Sequence, residues 1–308
     1  MHKQFFTMQD ILNTIAEQQN SGILADNHAH VNLHPQPFEV IKNFYKHNGR
    51  FIIDVSTNAK ELQISQKIYN QAQTSMPELK MHIANAIHPE YLHKLGIDFY
   101  KERISTELAY AISKTLETLN SQYIIDYATT LLEQNLNSIS IIGEFGLDIY
   151  RLRQEDILQA LRLQQDLFLA YLQLASKHNL PIMLHIRGHK NEDHSLYLQA
   201  LKLIKQFENQ HSLPAVYFHS FTGTWEVAKP IVDAGYFIGI NGIATYSSAK
   251  YLVEVIKNTP AKQILPETDA PFLIPNRAKT KMFIDKKLNE PLGVQYIIEM
   301  INFVFPSP

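Results

Sequence analysis

Residues 22–35 read GILADNHAHVNLHP, and this stretch decides the fold. An apolar run is followed at once by His28 and His30, which are separated by one residue. Because alternate side chains of a strand share a face, both imidazoles can point the same way. Such a pair can be surface chemistry, core packing or half of a metal site, and the rest of the sequence decides among these readings.

Short apolar runs rich in β-branched and aromatic residues recur along the chain, and most of them are separated by helical patterns. The eight runs begin at Gly22, Arg50, Met81, Ile139, Leu180, Pro214, Gly235 and Lys262. Eight buried strands that alternate with helices predict a parallel (β/α)8 TIM barrel. A doubly wound open sheet is the main alternative, but the chain has no glycine-rich phosphate loop to support it.

Two segments fall outside this alternation. Residues 1–22 carry apolar side chains at helical spacing and end in Asn-Ser-Gly, which predicts a short N-terminal helical extension. Residues 23–308 then form one barrel domain. About fifty residues separate the third and fourth strands, and their pattern predicts an insertion of two helices within residues 90–138.

The composition narrows the class of protein. The formal net charge is -2 and the pI is about 6.7, so no global basic field indicates nucleic-acid binding. The absence of cysteine excludes disulfides and thiolate metal sites. No apolar run approaches the roughly 20 residues of a membrane span, and the N-terminus is a poor signal peptide. We therefore expect a cytoplasmic protein that does not associate with membranes.

Polar and charged side chains occur near the carboxyl ends of five predicted strands. They are His28, His30, Glu144, Asp148, His185, Arg187, His219, Glu267 and Asp269. In a (β/α)8 barrel these strand ends converge on one mouth, where active sites lie. The sequence therefore predicts that side chains far apart in the chain form one polar cluster.

The composition of this predicted cluster indicates divalent metal ions. Imidazole and carboxylate ligands suit Zn²⁺, Mn²⁺ or Mg²⁺. Four histidines, one glutamate and one aspartate are too many for a single tetrahedral catalytic ion, which takes about three protein ligands. Two ions roughly 3.5–4 Å apart that share a bridging carboxylate would use all six, and such pairs promote in-line displacement at phosphorus.

Four further residues have predicted supporting roles. Asp148 can orient a ligand histidine. Arg187 follows His185 by two residues, so its planar guanidinium can hold a phosphate or carboxylate. His88 is predicted to end the third strand and to point toward the mouth, where it can contact the phosphate or act as an acid. Glu267 precedes Asp269 by two residues and is expected to lie deeper in the barrel.

Several strings in the chain together resemble the TatD family of metal-dependent deoxyribonucleases, which are amidohydrolase-like TIM-barrel hydrolases. The matching strings are DNHAH, AIHPE, IIGEFGLDIY, LPIMLHIRG, VYFHSFTG and ILPETDAPFLIP, and with NEP they extend from about Gly22 to Pro291. The resemblance implies hydrolysis of DNA phosphodiesters, often as a 3′→5′ exonuclease supported by Mg²⁺ or Mn²⁺. The implied partner is single-stranded DNA or a DNA end.

The resemblance also implies roles for individual residues. His28, His30 and Asp269 hold one ion, His185 and His219 hold the second, and Glu144 bridges the two. Asp269 orients or deprotonates the attacking water, and His88 and Arg187 bind the phosphate. One departure is Asn32, since the family often has an acidic residue at that position.

Two other functions are consistent with the same sequence. The barrel can serve an amidohydrolase-like enzyme that acts on a small lactone, amide or phosphoester, because fold alone does not determine function. The chain can also be an accessory subunit that contacts a protein partner through its N-terminal helix or the 90–138 insertion.

Overall fold

A computed structural model describes residues 22–92, 117–189, 194–276, 278 and 282–305, with only the backbone described for residues 117–121. The predicted N-terminal helix and the first helix predicted in the insertion lie outside these residues. The boundary between an extension and a barrel domain therefore stays a prediction.

Eight parallel strands form one sheet in which every strand pairs with the next along the chain. They are β1 (Leu24–Ala29), β2 (Gly49–Ser56), β3 (Lys80–Asn85), β4 (Ile141–Asp148), β5 (Ile182–Arg187), β6 (Val216–Phe218), β7 (Phe237–Ile240) and β8 (Ile264–Pro266). The last strand returns to the first, because the Asp269 amide donates to the His28 carbonyl oxygen at 2.9 Å and Ala29 bridges to Ala270. This order confirms the predicted TIM barrel.

Helices connect successive strands and cover the outside of the barrel. Among the described residues they are α1 (Pro37–Lys46), α2 (Ala59–Ser75), α3 (Glu117–Asn135), α4 (Ile157–His178), α5 (Ser195–Glu208), α6 (Trp225–Asp233), α7 (Leu252–Asn258) and α8 (Val294–Val304). Helix α3 lies within the predicted insertion. None of the described helices is both long enough and apolar enough to cross a membrane.

Local sequence determines where several of these helices begin and end. Pro37 occupies the first turn of α1, where its missing N–H costs nothing. The Asn58 side chain accepts a hydrogen bond from the Glu61 amide at the start of α2. Asn179 ends α4 in the left-handed conformation, with φ of 52°. These signals are local, which is why the helices were predictable.

Two separate apolar layers hold the barrel. One fills its interior and draws on all eight strands, with Ala25, Phe51, Ala84, Ile141, Met183, Tyr217, Phe237 and Leu265 among its members. The other lies between the strands and the surrounding helices and includes Ile142, Phe145 and Leu147 of β4. Membership in one layer or the other therefore shows whether the side chain of a strand residue faces the barrel interior or the surrounding helices.

Strand β4 carries one extra residue immediately around Glu144. Ile142 aligns with Ile182 and Phe145 with Leu184, so three steps along β4 match two steps along β5. Ile142 and Phe145 consequently face the same outer layer although they are three residues apart. This β-bulge reverses the inward–outward alternation and turns Glu144 toward the barrel mouth.

Strand β1 contains the same kind of irregularity before its histidines. Asp26 aligns with Ile52 and Ala29 with Asp54, which again places three steps of one strand against two of its neighbour. Ala25 lies in the interior layer, while Ala29 packs with the outer helices. The extra residue therefore directs His28, which precedes Ala29, toward the interior of the barrel mouth.

Candidate metal centre

All six predicted metal ligands come together at the carboxyl ends of the strands. Their donor atoms form overlapping groups in which the atoms of each group lie within 4.8 Å of one another. Three of these groups are His28–His30–Glu144, His28–His219–Asp269 and Glu144–His185–His219. Glu144 belongs to two groups that share no other residue, which is the arrangement expected for a carboxylate between two ions.

One side of the cluster is formed by the end of β1 and the segment after β8, which carry His28, His30 and Asp269. The Nε2 atoms of His28 and His30 lie 3.1 Å apart. Asp269 Oδ1 lies 3.4 Å from His28 Nε2 and 3.5 Å from His30 Nε2. Three donor atoms thus converge on one position, and two neutral imidazole nitrogens so close together need a cation or proton between them.

Glu144 lies at the centre of the cluster and is almost completely buried. Its Oε2 atom has no well-oriented hydrogen bond among the described residues, although it lies 2.9 Å from His219 Nε2 and 3.4 Å from His185 Nδ1. Its Oε1 atom lies 3.3 Å from His30 Nε2. A buried carboxylate without matched hydrogen bonds is costly unless a cation compensates it, so the cluster fits divalent metal ions.

Hydrogen bonds outside the cluster orient two of the imidazoles. His30 Nδ1 lies 3.0 Å from the Val55 carbonyl oxygen and donates to it, which leaves Nε2 as the lone-pair nitrogen facing Glu144. His185 Nε2 lies 2.9 Å from Asp148 Oδ2, so Nδ1 faces the centre. Such outer hydrogen bonds fix the tautomer and the ring orientation of metal-binding histidines.

Glu267 lies beside the outer nitrogen of His219, Nδ1, which has no well-oriented hydrogen bond among the described residues. It is fully buried, as predicted for a deeper residue, and its Oε1 atom lies 3.3 Å from His219 Nδ1. Glu267 also accepts hydrogen bonds from the Ser220 amide at 2.8 Å, from Asn241 Nδ2 at 3.1 Å and from the Tyr217 hydroxyl. These contacts hold the carboxylate rigidly and turn His219 Nε2 toward Glu144.

Electrostatics within the cluster perturb the pKa values of its members strongly. Burial by itself lowers the pKa of both His185 and His219, but nearby carboxylates outweigh it and raise these values to about 9 and about 10. Burial raises the pKa of Glu144, yet the surrounding imidazoles hold it well below its usual range. The carboxylates of the cluster therefore keep the neighbouring imidazoles protonated, and divalent cations would take the place of these protons on binding.

His88 lies in the loop after β3, which ends at Asn85, rather than in the strand itself. Burial and the neighbouring His185 lower the pKa of His88 to about 3, so its imidazole is neutral. Its Nδ1 accepts a hydrogen bond from the Glu90 amide at 3.0 Å, which places the proton on Nε2. That N–H lies 4.0 Å from Glu144 Oε1 and is available to donate to a bound ligand.

Arg187 is the one predicted site residue that lies outside the compact cluster. It ends β5, is exposed, and its guanidinium carbon lies 3.6 Å from the centre of the Tyr150 ring. This cation–π contact holds the side chain at the rim of the mouth. The other use that the sequence allows for this guanidinium is an ion pair with Glu144 or Asp148, and among the described residues neither pair is formed.

Two buried polar contacts that support the site were not predicted from the sequence. Asp26 accepts hydrogen bonds from the Thr268 amide at 2.9 Å and from its hydroxyl at 2.5 Å, which joins β1 to the segment after β8. Asn32 donates to Asp54 Oδ1 at 3.0 Å and to the Val55 carbonyl at 2.7 Å. The only signal for these residues was a polar side chain inside or beside an apolar run.

Replacing Asp148 by asparagine is expected to weaken metal binding by about 10–100-fold, because the amide cannot hold the His185 tautomer as the carboxylate does. Isothermal titration with Mn²⁺ measures this change. Asp166→Asn on the exposed face of α4 is the matched control and should bind Mn²⁺ as the native protein does. Equal affinities for the two variants would contradict the role of Asp148.

Sequence comparison gives the family. Residues 25–304 match the family model described as TatD related DNase. A 3′-5′ ssDNA/RNA exonuclease TatD from Pantoea ananatis is 32% identical over 185 residues, which cover 59% of this chain and 64% of that protein. An uncharacterised metal-dependent hydrolase from Buchnera aphidicola is 25% identical over 91% of both chains.

Structural comparison gives the same fold. A TatD family hydrolase from Entamoeba histolytica superimposes with a TM-score of 0.66 at 18% identity, and the match covers 92% of this chain and 91% of that one. The family match extends over nearly the whole barrel and includes every residue of the metal cluster described above. The chain belongs to the TatD-related DNase family of metal-dependent hydrolases.

Proposed function

We propose that this protein is a 3′→5′ exonuclease that acts on single-stranded DNA or on DNA ends with two divalent cations, Mg²⁺ or Mn²⁺. The observation that carries the proposal is the position of Glu144 between two groups of imidazoles. Zn²⁺ is also compatible with this ligand set. The 3′→5′ polarity and the nucleic-acid substrate follow the name of the Pantoea relative.

The ligand residues divide between the two cations. His28 and His30 would hold one ion with Asp269, His185 and His219 would hold the other, and Glu144 would contact both. When bound, the cations lower the pKa of water and stabilise negative charge on the phosphoryl oxygens.

The remaining steps belong to side chains of the protein. Contacts with His28 and His30 hold the pKa of Asp269 below its usual range, so its carboxylate is ionised and can orient the attacking water. Its position beside the cluster also allows it to receive the proton of that water. The His88 Nε2–H donates a hydrogen bond to a phosphoryl oxygen. Arg187 approaches the phosphate from the rim, where its planar guanidinium can form paired hydrogen bonds.

Digestion of labelled DNA tests the proposal. A linear oligonucleotide with a 5′ label should give a ladder of progressively shorter products with Mg²⁺ or Mn²⁺ and no products with EDTA. The same strand with a 3′ label should release the labelled mononucleotide at once. A circular single strand of the same sequence should remain intact, since an exonuclease needs an end.

Two outcomes would overturn parts of this proposal. Cleavage of the circle would show endonuclease activity and remove the exonuclease assignment. A folded, metal-loaded protein that cleaves none of these strands would remove DNA as the substrate. Small phosphoesters, amides and lactones would then be assayed, because the same cluster can activate water toward them.

A further inference from the structure

Phe272 has an unusual position for a large apolar side chain. It is 51% exposed, although Ala270 two residues earlier is buried. A single exposed phenylalanine is common on protein surfaces and by itself indicates nothing. What distinguishes Phe272 is its location, because its ring centre lies 6.1 Å from that of His30, with the planes inclined at 69°. An open aromatic ring therefore lies beside the metal cluster.

The backbone that carries Phe272 is held firmly. Asp269 and Leu273 on either side of it adopt left-handed conformations, with φ of 56° and 55°. Residues other than glycine adopt this conformation only where their surroundings enforce it, and such positions concentrate at functional sites. The Phe272 amide donates to the Asp269 carbonyl oxygen at 2.9 Å and closes the turn.

Contacts from two other segments immobilise the same turn. Asn289 is fully buried. Its backbone amide donates to the Pro271 carbonyl oxygen at 3.0 Å, and its side-chain Nδ2 donates to the Leu273 carbonyl oxygen at 3.3 Å. Gly242 packs so closely that an added Cβ would lie 2.1 Å from the Leu273 carbonyl oxygen. The ring is therefore presented to solvent from a rigid support, which limits the entropy lost when a ligand binds.

We propose that Phe272 stacks against a nucleobase of the nucleotide next to the scissile phosphate. The inference rests on the proposed function, since it names the part of a nucleic-acid substrate that this rim would contact. An aromatic face accepts any base because every base has a π-face. The ring would align the end of the strand over the metal cluster without selecting its sequence, as an exonuclease that removes successive nucleotides requires.

Oligonucleotides that lack one base test this inference directly. Two strands carry an abasic residue at the 3′-terminal or the penultimate position, and a third strand is complete. The native protein should cleave one of the abasic strands with a kcat/KM about tenfold below that of the complete strand. Phe272→Ala should lose about tenfold on the complete strand and change less than twofold on that abasic strand.

Two control variants separate stacking from structure. Phe272→Tyr keeps the aromatic face and should stay within twofold of the native protein on every strand. Phe303→Ala removes a phenylalanine that is 86% exposed near the end of α8. Because a helix that follows a barrel strand runs back from the mouth, this substitution should change nothing.

Failure of this inference can be told apart from failure of the proposed function. If Phe272→Ala lowers kcat/KM equally on the complete strand and on both abasic strands, or lowers it on no strand, Phe272 does not contact a base and the inference is wrong. If the native protein cleaves no strand with any metal, the proposed function fails and the inference fails with it.

Discussion

Replacing Glu144 by glutamine is expected to lower metal-dependent cleavage of DNA by at least about 10³-fold. Glutamine has nearly the same shape, but it has no negative charge and offers one oxygen in place of two. Glu144 Oε1 faces His30 at 3.3 Å, while Oε2 faces His219 at 2.9 Å, so the substitution affects both halves of the cluster. Initial rates on a 5′-labelled single strand with Mn²⁺ measure the loss.

The matched control is Glu254→Gln, which makes the same chemical change at an exposed position of α7 and should retain native activity. Circular dichroism should show that both variants are folded, and elemental analysis should show metal depletion only in Glu144→Gln. A Glu144→Gln variant that retains more than a tenth of native cleavage would show that this carboxylate does not bridge the ions.

Replacing Gly146 by alanine is expected to reduce the free energy of unfolding by about 3 kcal/mol or more. Strands β4 and β5 pair Gly146 with His185, and an added Cβ would lie 1.9 Å from the His185 carbonyl oxygen. The two strands would have to separate, which disrupts the sheet and displaces His185. Urea unfolding followed by circular dichroism measures the change, and Mn²⁺ affinity should fall in the same variant.

Gly235→Ala provides the comparison. Gly235 also has positive φ, at 83°, but an added Cβ would meet no atom within 4 Å. The substitution should therefore cost only about 1 kcal/mol of backbone strain. If the two variants differ by less than about 1 kcal/mol, the close approach of β4 and β5 at Gly146 is not a determinant of stability.

The barrel was predictable because its signals are local. Each strand appears as a short buried run, each helix as a 3.6-residue pattern, and turn residues such as Pro37, Asn58 and Asn179 mark helix ends. The convergence of the polar side chains was predictable for a related reason, since the carboxyl ends of parallel strands must meet at one mouth. The contacts of His88 with Glu90 and of Arg187 with Tyr150 could not be predicted, because they depend on the course of loops that no local pattern determines.

The orientation of Glu144 depended on tertiary structure. Strict alternation from Ile141, which lies in the barrel interior, would turn Glu144 outward toward the helices. The bulge against β5 reverses this, and its register exists only when β4 pairs with its neighbour. The same holds for His28, which reaches the interior through the extra residue of β1 opposite β2.

The sequence by itself determined the architecture, the family and the residue types gathered at the mouth, because these follow from short-range periodicity and from motifs. Only the tertiary structure decided which nitrogen of each histidine faces inward and which carboxylate holds it there. Asp148 is hydrogen-bonded to His185 from the neighbouring strand, and Glu267, which follows β8, lies 3.3 Å from His219 Nδ1. Such contacts depend on strand register and side-chain packing in three dimensions, and a one-residue change of register would reverse them.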